Sequence, residues 1–388
     1  MTGKLTHTPI GQEMTAQLQL GLFGTVGKLA RQLRSLDRIA PRLKEGGLVR
    51  RLEIDRDRQR TAIGISVAHR RIEAFGGLLY GAAALGHAMT TKGGDIAHTG
   101  QLSRMDVGDM SMLEAKKRLQ WKSYGLVYDL LEELFEGGEL PELLILDIPL
   151  VMGRSLYAQL LVGDETDHEL QAELDALKDR ANRFWDQWAA RCYPFDLEGP
   201  KVVSLARGRF GSLLRLIHKK DAAITPDPLD AEVAGLISGE WAQILSVGID
   251  RVLRGILAPE HRTAAFDREQ DRLDKDAFPI ALRDRGSVAF HYLTGLRGQP
   301  TQVETLGSAT EWADGPGPEA LDTLAADLIA LTYFDHRQSV PLPLWYARQG
   351  LEPVRKKGIL EFYKREALRA MRREDVDAAW LAGWDEAG

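Results

Sequence analysis

The sequence predicts an α/β protein built around a mixed sheet, and three features support that class. An apolar run at 143–148 has the pattern of a strand buried on both faces. Two long amphipathic segments, at 111–137 and 166–192, surround this run and carry apolar residues at helical spacing. A hairpin pattern at 287–306 follows them. Strands that alternate with long helices in this order are typical of α/β domains.

The composition is that of an ordinary globular protein. The chain has 388 residues, with 44% hydrophobic and 27% charged residues and a net charge of −6, so any nucleic-acid contact must use a local basic patch. A single cysteine, Cys192, excludes an intrachain disulfide framework and a multi-cysteine zinc site. The sequence shows no signal peptide and no apolar run long enough to span a membrane, so we expect a cytoplasmic protein without a membrane partner.

The first part of the chain predicts a helix and then strands. Residues 13–45 are helical in pattern, and the helix is either an ordinary amphipathic one with a solvated basic face or a docking helix for a partner protein. Ala62–Val67 is a predicted strand, Leu78–Ala88 a strand or a helix, and 91–110 a loop or hairpin.

The second part continues the alternation. A strand is predicted at Lys201–Leu205, a helix at about Glu319–Tyr333, and basic helices from Trp345 onward. The sequence contains no P-loop, no dinucleotide-binding glycine pattern, and no H-E-x-x-H or G-x-S-x-G motif, which argues against the common classes of ATPase, dehydrogenase, zinc protease and serine hydrolase.

Asp147 is the most informative residue, because it interrupts the apolar run at 143–148, which Pro149 stops. A carboxylate there must meet water, a partner or a metal, since burying it without one is costly. In nucleases with an RNase H-like sheet, carboxylates at strand ends hold the metal that activates water. Alternatively, Asp147 caps the next turn or reaches solvent.

Several strings in the same order resemble the NurA family of nucleases, over about residues 60 to 365. The strings are VAHRRIEAFGGLLY at 67–80, LLILDIPL at 143–150, KVVSLARGRF with the following HKK, FHYLTGLRGQPTQVETL at 290–306, and VPLPLWYARQGL at 340–351. The resemblance implies an RNase H-like mixed sheet flanked by helices. It also implies a homodimer that works on DNA with a hexameric HerA-type ATPase, in end processing or antiphage defence.

The chain departs from the family at most of the catalytic positions. Ala68 stands at the first metal-binding aspartate, Lys122 at a helical glutamate four residues after Arg118, and Arg348 at a late histidine or aspartate. Only Asp147 is retained. One carboxylate cannot hold a pair of metal ions, and a lysine and an arginine in the same space would repel them. We therefore expect the Lys122 and Arg348 side chains to pair with Asp147 or with phosphate.

These departures predict a degenerate subunit that binds DNA or assembles with its partner and needs no cofactor. Six basic residues are candidates for its phosphate contacts, although each one alone could equally be an ordinary solvated charge. They are Lys122, Arg207, Arg209, Lys219, Lys220 and Arg348.

Two alternatives remain open from the sequence. The first is an active nuclease that uses Mn²⁺ or Mg²⁺, with Asp147 joined by relocated carboxylates among Glu73, Asp55, Asp57 and Glu114. The second is a chance likeness in a small-molecule binding or scaffold protein.

The predicted organisation has three parts. They are a helical N-terminal extension at 1–59, a NurA-like domain at 60–365 with an insertion at about 221–285, and a helical tail at 366–388.

Overall fold

A computed structural model gives the fold of the chain. It describes residues 9–74, 77–153, 156, 168–192, 199–205, 213–220, 225–267, 275–294, 300–332, 340–356 and 358–374.

A ten-stranded mixed sheet organises the described residues. The strands are β1 Val49–Arg51, β2 Arg60–Ala74, β3 Gly77–Lys92, β4 Asp95–Met110, β5 Leu143–Leu146, β6 Lys201–Ser204, β7 His261–Thr263, β8 Phe266–Asp267, β9 Ser287–Leu293 and β10 Thr301–Leu306. Their order across the sheet is β4-β3-β2-β5-β6-β10-β9-β7-β1, and β8 also pairs with β9.

The helices cover both faces of this sheet. They are α1 Pro9–Leu43, α2 Ala115–Glu136, α3 His168–Cys192, α4 Leu213–Lys220, α5 Ala231–Gly239, α6 Trp241–Val247, α7 Ile249–Ile256, α8 Ile280–Arg285, α9 Ala309–Asp314, α10 Gly317–Ala330, α11 Leu342–Gly350, α12 Glu352–Arg355 and α13 Gly358–Arg373. None of these helices is long and apolar enough to cross a membrane.

The centre of the sheet combines antiparallel and parallel pairing. Strands β2, β3 and β4 form an antiparallel meander, and β5 and β6 run parallel to β2. Every residue of β5 is buried, because helices cover the sheet on both sides at this point. This confirms the predicted mixed sheet flanked by helices.

The two faces of β5 belong to different cores. Leu144 and Leu146 pack with side chains of α2 and α3, such as Tyr128 and Phe184. Leu143 and Ile145 pack on the other face with side chains of α9, α10 and α11. Asp147, directly after β5, is half-buried, and Ile148 beyond it is buried again in the first of these cores.

The N-terminal helix and the insertion build a third core together. Leu36, Ile39 and Leu43 of α1 pack with α4 to α7 and with Phe266 of β8. Strand β1, which follows α1, pairs with β7 of the insertion. The extension therefore supplies an edge strand of the same sheet.

The structure decides two choices that the sequence left open and adds elements that the sequence did not predict. The segment at 78–88 is part of β3, which decides between the two options left by the sequence, and 91–110 is mostly the strand β4 of a long hairpin. β4 has a largely exposed surface because it is the edge of the sheet, and this explains its polar sequence. Strands β1, β7 and β8 and helices α5 to α7 were not predicted.

Candidate functional site

Asp147 is held at the carboxyl end of the central strands by contacts to β2. Its backbone N–H donates to the carbonyl of Ile65 at 2.9 Å, which continues the pairing of β5 with β2. The Ser66 hydroxyl donates to Asp147 Oδ2 at 2.8 Å. Sequence reasoning did not single out Ser66, although a hydroxyl within the apolar string AIGISVA is a signal that could have been used.

Arg348 of α11 forms a two-point ion pair with Asp147. Arg348 Nε lies 2.9 Å from Asp147 Oδ2, and Nη2 lies 2.5 Å from Oδ1. Both carboxylate oxygens are therefore engaged, and Oδ2 also accepts the Ser66 bond. A guanidinium in this fork-like arrangement satisfies a carboxylate in both charge and geometry.

Gly64 allows α11 to come close enough for this pair to form. A Cβ atom at residue 64 would lie 2.2 Å from the backbone nitrogen of Leu344 and 2.4 Å from the carbonyl carbon of Pro343. No larger residue fits this contact between β2 and the first turn of α11. A glycine inside a strand pattern is a sign of such a close approach.

Ala68 lies on the same face of β2 as Ser66, two residues further along the strand. Its methyl group is buried in an apolar cluster with Ala347 of α11, the helix that carries Arg348, and with Leu351 directly after that helix. The position therefore contributes packing to this end of the sheet and offers no ligand atom.

The residue after Ala68 points to the other face. His69 Nδ1 lies 3.1 Å from the Ser123 hydroxyl of α2. Burial lowers the pKa of His69, and the nearby charges of Lys116 and Arg71 lower it further, so the ring favours its neutral form.

Lys122 does not join the pair of Asp147 and Arg348. Its ammonium lies 3.5 Å from Glu173 of α3 and 3.6 Å from Asp106 of β4, and 5.1 Å from the centre of the Tyr80 ring. Burial alone would lower the pKa of Lys122, but the hydrogen bond to Tyr80 and the negative charges nearby raise it overall. Lys122 is thus a charged link between α2, α3 and the hairpin.

Tyr124, one half-turn further along α2, lies nearer to the candidate site. Burial raises the pKa of its hydroxyl, and the charge of Asp147 contributes to that shift in the same direction. The hydroxyl also accepts a hydrogen bond from Gln120 at 2.8 Å. Tyr124 therefore stays protonated beside the ion pair at neutral pH.

Comparison with solved structures decides which fold this is. The crystal structure of the NurA nuclease from Sulfolobus solfataricus aligns with a TM-score of 0.56, covering 95% of this chain and 99% of that chain at 10% identity. A further NurA structure gives a TM-score of 0.43, at 12% identity over 92% and 98% of the two chains. A structure of NurA with manganese gives 0.40, at 10% identity over 92% and 98%.

This chain has a NurA-like fold. No sequence model of a protein family and no curated protein matches it. At 10% identity, the likeness to the Sulfolobus protein establishes the fold and leaves the activity to be argued from the residues.

The side chains described around Asp147 do not form a divalent-metal centre. Within the parts of the chain that the structure describes, no group of three or more His, Cys, Asp or Glu side chains could hold a metal ion. Asp147 is bound by a guanidinium, and Ala68 has no donor atom. Hard divalent cations need several oxygen ligands, so these residues do not fit such a metal.

The relocated carboxylates considered from the sequence have other surroundings. Asp55 Oδ1 accepts from the backbone N–H groups of Asp57 and Arg58, which makes it a turn residue. Glu114 pairs with Lys117 at 3.4 Å at the start of α2. Glu73 is exposed near the end of β2.

Four of the basic candidates have no described side chain. Arg207 and Arg209 lie outside the described residues. Lys219 and Lys220 end α4, and only their backbone is described.

Proposed function

We propose that this chain is a catalytically degenerate NurA-like subunit that binds DNA within an assembly. The proposed assembly contains two copies of the chain and a hexameric HerA-type ATPase, and it acts in DNA end processing or antiphage defence. Its contribution is binding and assembly, while DNA cleavage is not carried out by this chain.

One observation supports the proposed loss of nuclease activity. Arg348 occupies both oxygens of Asp147 at 2.5 and 2.9 Å, in the place where a metal-dependent nuclease needs free carboxylate oxygens. A cation would have to displace a bidentate guanidinium and would then meet its positive charge. The pair therefore supports a structural role for the retained aspartate.

The proposed DNA contact uses α13 rather than the pocket of Asp147. Phe362, Arg365, Arg369 and Arg373 recur at spacings of three and four residues and lie on one exposed face of this helix. Glu366 pairs with Arg369 at 2.5 Å and offsets part of the charge. An exposed aromatic ring among arginines suits single-stranded nucleic acid, because bases stack on the ring while the guanidinium groups contact phosphates.

A cleavage assay tests the loss of chemistry. The wild-type protein and Asp147→Ala are incubated with Mn²⁺ and fluorescently labelled single-stranded and duplex DNA. We expect the wild type to cut no faster than the variant, because Asp147 already has its partner. Metal-dependent cutting that disappears in Asp147→Ala would overturn the proposal and favour an active nuclease.

A binding assay tests the DNA contact separately. We expect fluorescence anisotropy with labelled single-stranded DNA to show affinity that falls steeply between about 50 and 200 mM salt. Replacing Phe362, Arg365 and Arg369 by Ala should weaken binding by about tenfold or more, since each lost stacked base or phosphate contact costs about 1–3 kcal/mol.

The matched control for this assay is Arg254→Ala, which removes an exposed arginine from α7. Binding that ignores salt, or that drops equally in both variants, would contradict the assignment to α13. Co-purification with a HerA-type ATPase tests the partner, and its absence from a co-expressed pair would remove that part of the proposal.

A further inference from the structure

The N-terminal part of α1 exposes large apolar side chains along two heptads. Leu22, Val26 and Leu33 are 59%, 52% and 41% exposed, and Phe23 is 75% exposed. Scattered surface leucines are common, but a continuous row of them on one helix marks an interaction surface.

The exposed residues follow the register of a coiled coil. Leucine recurs every seven residues, at Leu22, Leu29, Leu36 and Leu43. Four residues after the first three of these come Val26, Leu33 and Ala40, so the two series occupy the d and a positions of successive heptads. We call the row from Leu22 to Leu33 the open seam.

The second half of the same row is already paired within the chain. Leu36 and Leu43 are buried against α4 to α7, and Ala40 packs beside them. The apolar row therefore continues without a break from a buried part into an exposed part. The exposed part is built like the buried one and lacks only its covering surface.

The helix around the open seam is weak unless something covers it. Gly21, Gly24 and Gly27 fall within two turns, and an added Cβ atom at any of them would meet nothing within 4 Å. Each glycine costs a helix about 1 kcal/mol relative to alanine. Short isolated helices are marginal in water even with good helix formers, so a packed partner is needed to keep this one formed.

The charges around the open seam fit a second copy of the same helix. The positions that flank it are Phe23, Thr25, Ala30 and Gln32, all uncharged. The basic residues Lys28, Arg31 and Arg34 fall at outer b, c and f positions, away from the seam. Two copies could therefore pair without bringing like charges together, whereas an acidic partner would find no cation beside the seam.

We propose that α1 pairs with α1 of a second copy through the open seam, in a two-fold symmetric helical interface. Each copy covers the Leu22, Val26 and Leu33 side chains of the other. The inference specifies the surface that joins the homodimer of the proposed function, and it uses none of the DNA-binding argument.

Sedimentation velocity with light scattering tests this interface in the full-length protein. The seam variant is Leu22→Ser/Val26→Ser/Leu33→Ser, and the matched control is Lys28→Ser/Arg31→Ser/Arg34→Ser on the outer face of the same turns. We expect dimers for the wild type and the control, and a dissociation constant at least about a hundredfold higher for the seam variant. The seam variant should keep the circular-dichroism spectrum of the folded protein, because within one copy these side chains are exposed.

A monomeric wild-type protein would overturn the proposal. A dimer that the seam variant leaves intact would do so as well, since two copies would then be joined elsewhere. A monomer would also remove the two-copy part of the proposed function, whereas a dimer that survives the seam substitutions overturns this interface alone. Loss of DNA binding would leave the interface unaffected.

Discussion

Asp147 and Arg348 show how a carboxylate at a strand end can be stabilised without a metal. The guanidinium supplies the positive charge and two N–H donors, and Ser66 supplies a third donor. Truncating either partner would leave the other half-buried and without its counter-charge, which is costly. The pair thus stabilises the docking of α11 on β2.

The sequence indicated two candidate partners for Asp147 but could not show which of them binds it. The resemblance pointed to Arg348 and Lys122 as the cations near Asp147, with equal weight. The structure brings only Arg348 to the carboxylate, because the close contact at Gly64 seats α11 there, while Lys122 meets Glu173 of α3. Helix packing of this kind joins residues far apart in the chain and leaves little trace in local patterns.

A single buried histidine, His291, predicts how the free energy of unfolding depends on pH. Its ring is buried in β9, and burial lowers its pKa to about 4. Between pH 6.5 and about 4 the unfolded chain takes up a proton that the folded chain refuses, so stability is complete above pH 6.5 and falls as the pH drops through this window. The loss approaches about 3 kcal/mol at its lower end.

Replacing His291 by Leu should therefore flatten the fall in unfolding free energy between about pH 7 and about pH 5. Urea unfolding at several pH values measures it, with the exposed His168→Leu as control. An identical acid slope in the wild type and His291→Leu would show that other groups set the acid limit.

Among the secondary-structure elements, the packing of α3 on α2 depends on one buried arginine. The Arg118 side chain is 2% exposed, and it donates to Glu173, Glu169 and the Ser111 hydroxyl at 2.7 to 2.9 Å. Hydrogen bonding to Glu173 is the main cause that raises the pKa of Arg118, against an opposing effect of burial. This one side chain ties α3 to the start of α2.

We expect Arg118→Ala to destabilise the protein by about 3 kcal/mol, because the largely buried Glu173 would lose its two-point hydrogen-bonding partner and keep only Lys122 at 3.5 Å. Arg183→Ala is the matched control on the same helix pair, since Arg183 is 60% exposed and bonds Glu132 at 2.8 Å. The control should cost less than about 1 kcal/mol. Equal losses in urea unfolding would mean that the burial of Arg118 adds nothing.

The long elements could be predicted and the short ones could not. β5, α2 and α3 have strong apolar patterns, because each buries one or two whole faces. β1, β7 and β8 have two or three residues each, and their pairing depends on partners far along the chain. Such short strands form because a neighbouring strand offers free backbone groups, and the local sequence does not indicate that neighbour.

At the scale of the whole molecule, strand pairing and ion pairs connect the N-terminal residues with the insertion. Besides the pairing of β1 with β7, Arg50 bonds Asp322 of α10 at 2.7 Å. Arg262 of β7 bonds the same Asp322 at 2.6 Å and the buried Asp227 at 2.8 Å. The predicted division at residue 59 stays a prediction, and these contacts argue against an independent extension.

Two truncations test this at the scale of the molecule. Removing residues 1–28 takes away only exposed side chains of α1 among those described, so each copy should stay folded and soluble. Removing residues 1–59 also deletes β1 and the buried Leu36, Ile39, Leu43 and Leu48, so we expect loss of soluble protein. Soluble yield and circular dichroism measure both, and a folded product from the longer deletion would show that the extension is separable.

The packing of Ala68 against Ala347 and Leu351 also bears on how such a protein could change over generations. For a chain descended from a metal-dependent nuclease, a single reversion of Ala68 to Asp would bury a bare carboxylate among methyl groups and be selected against for its instability. Helix α11, which carries both Ala347 and Arg348, would have to shift first. In such a lineage, tight apolar contact at Ala68 would oppose a direct return to the ancestral residue while leaving exposed positions free to change.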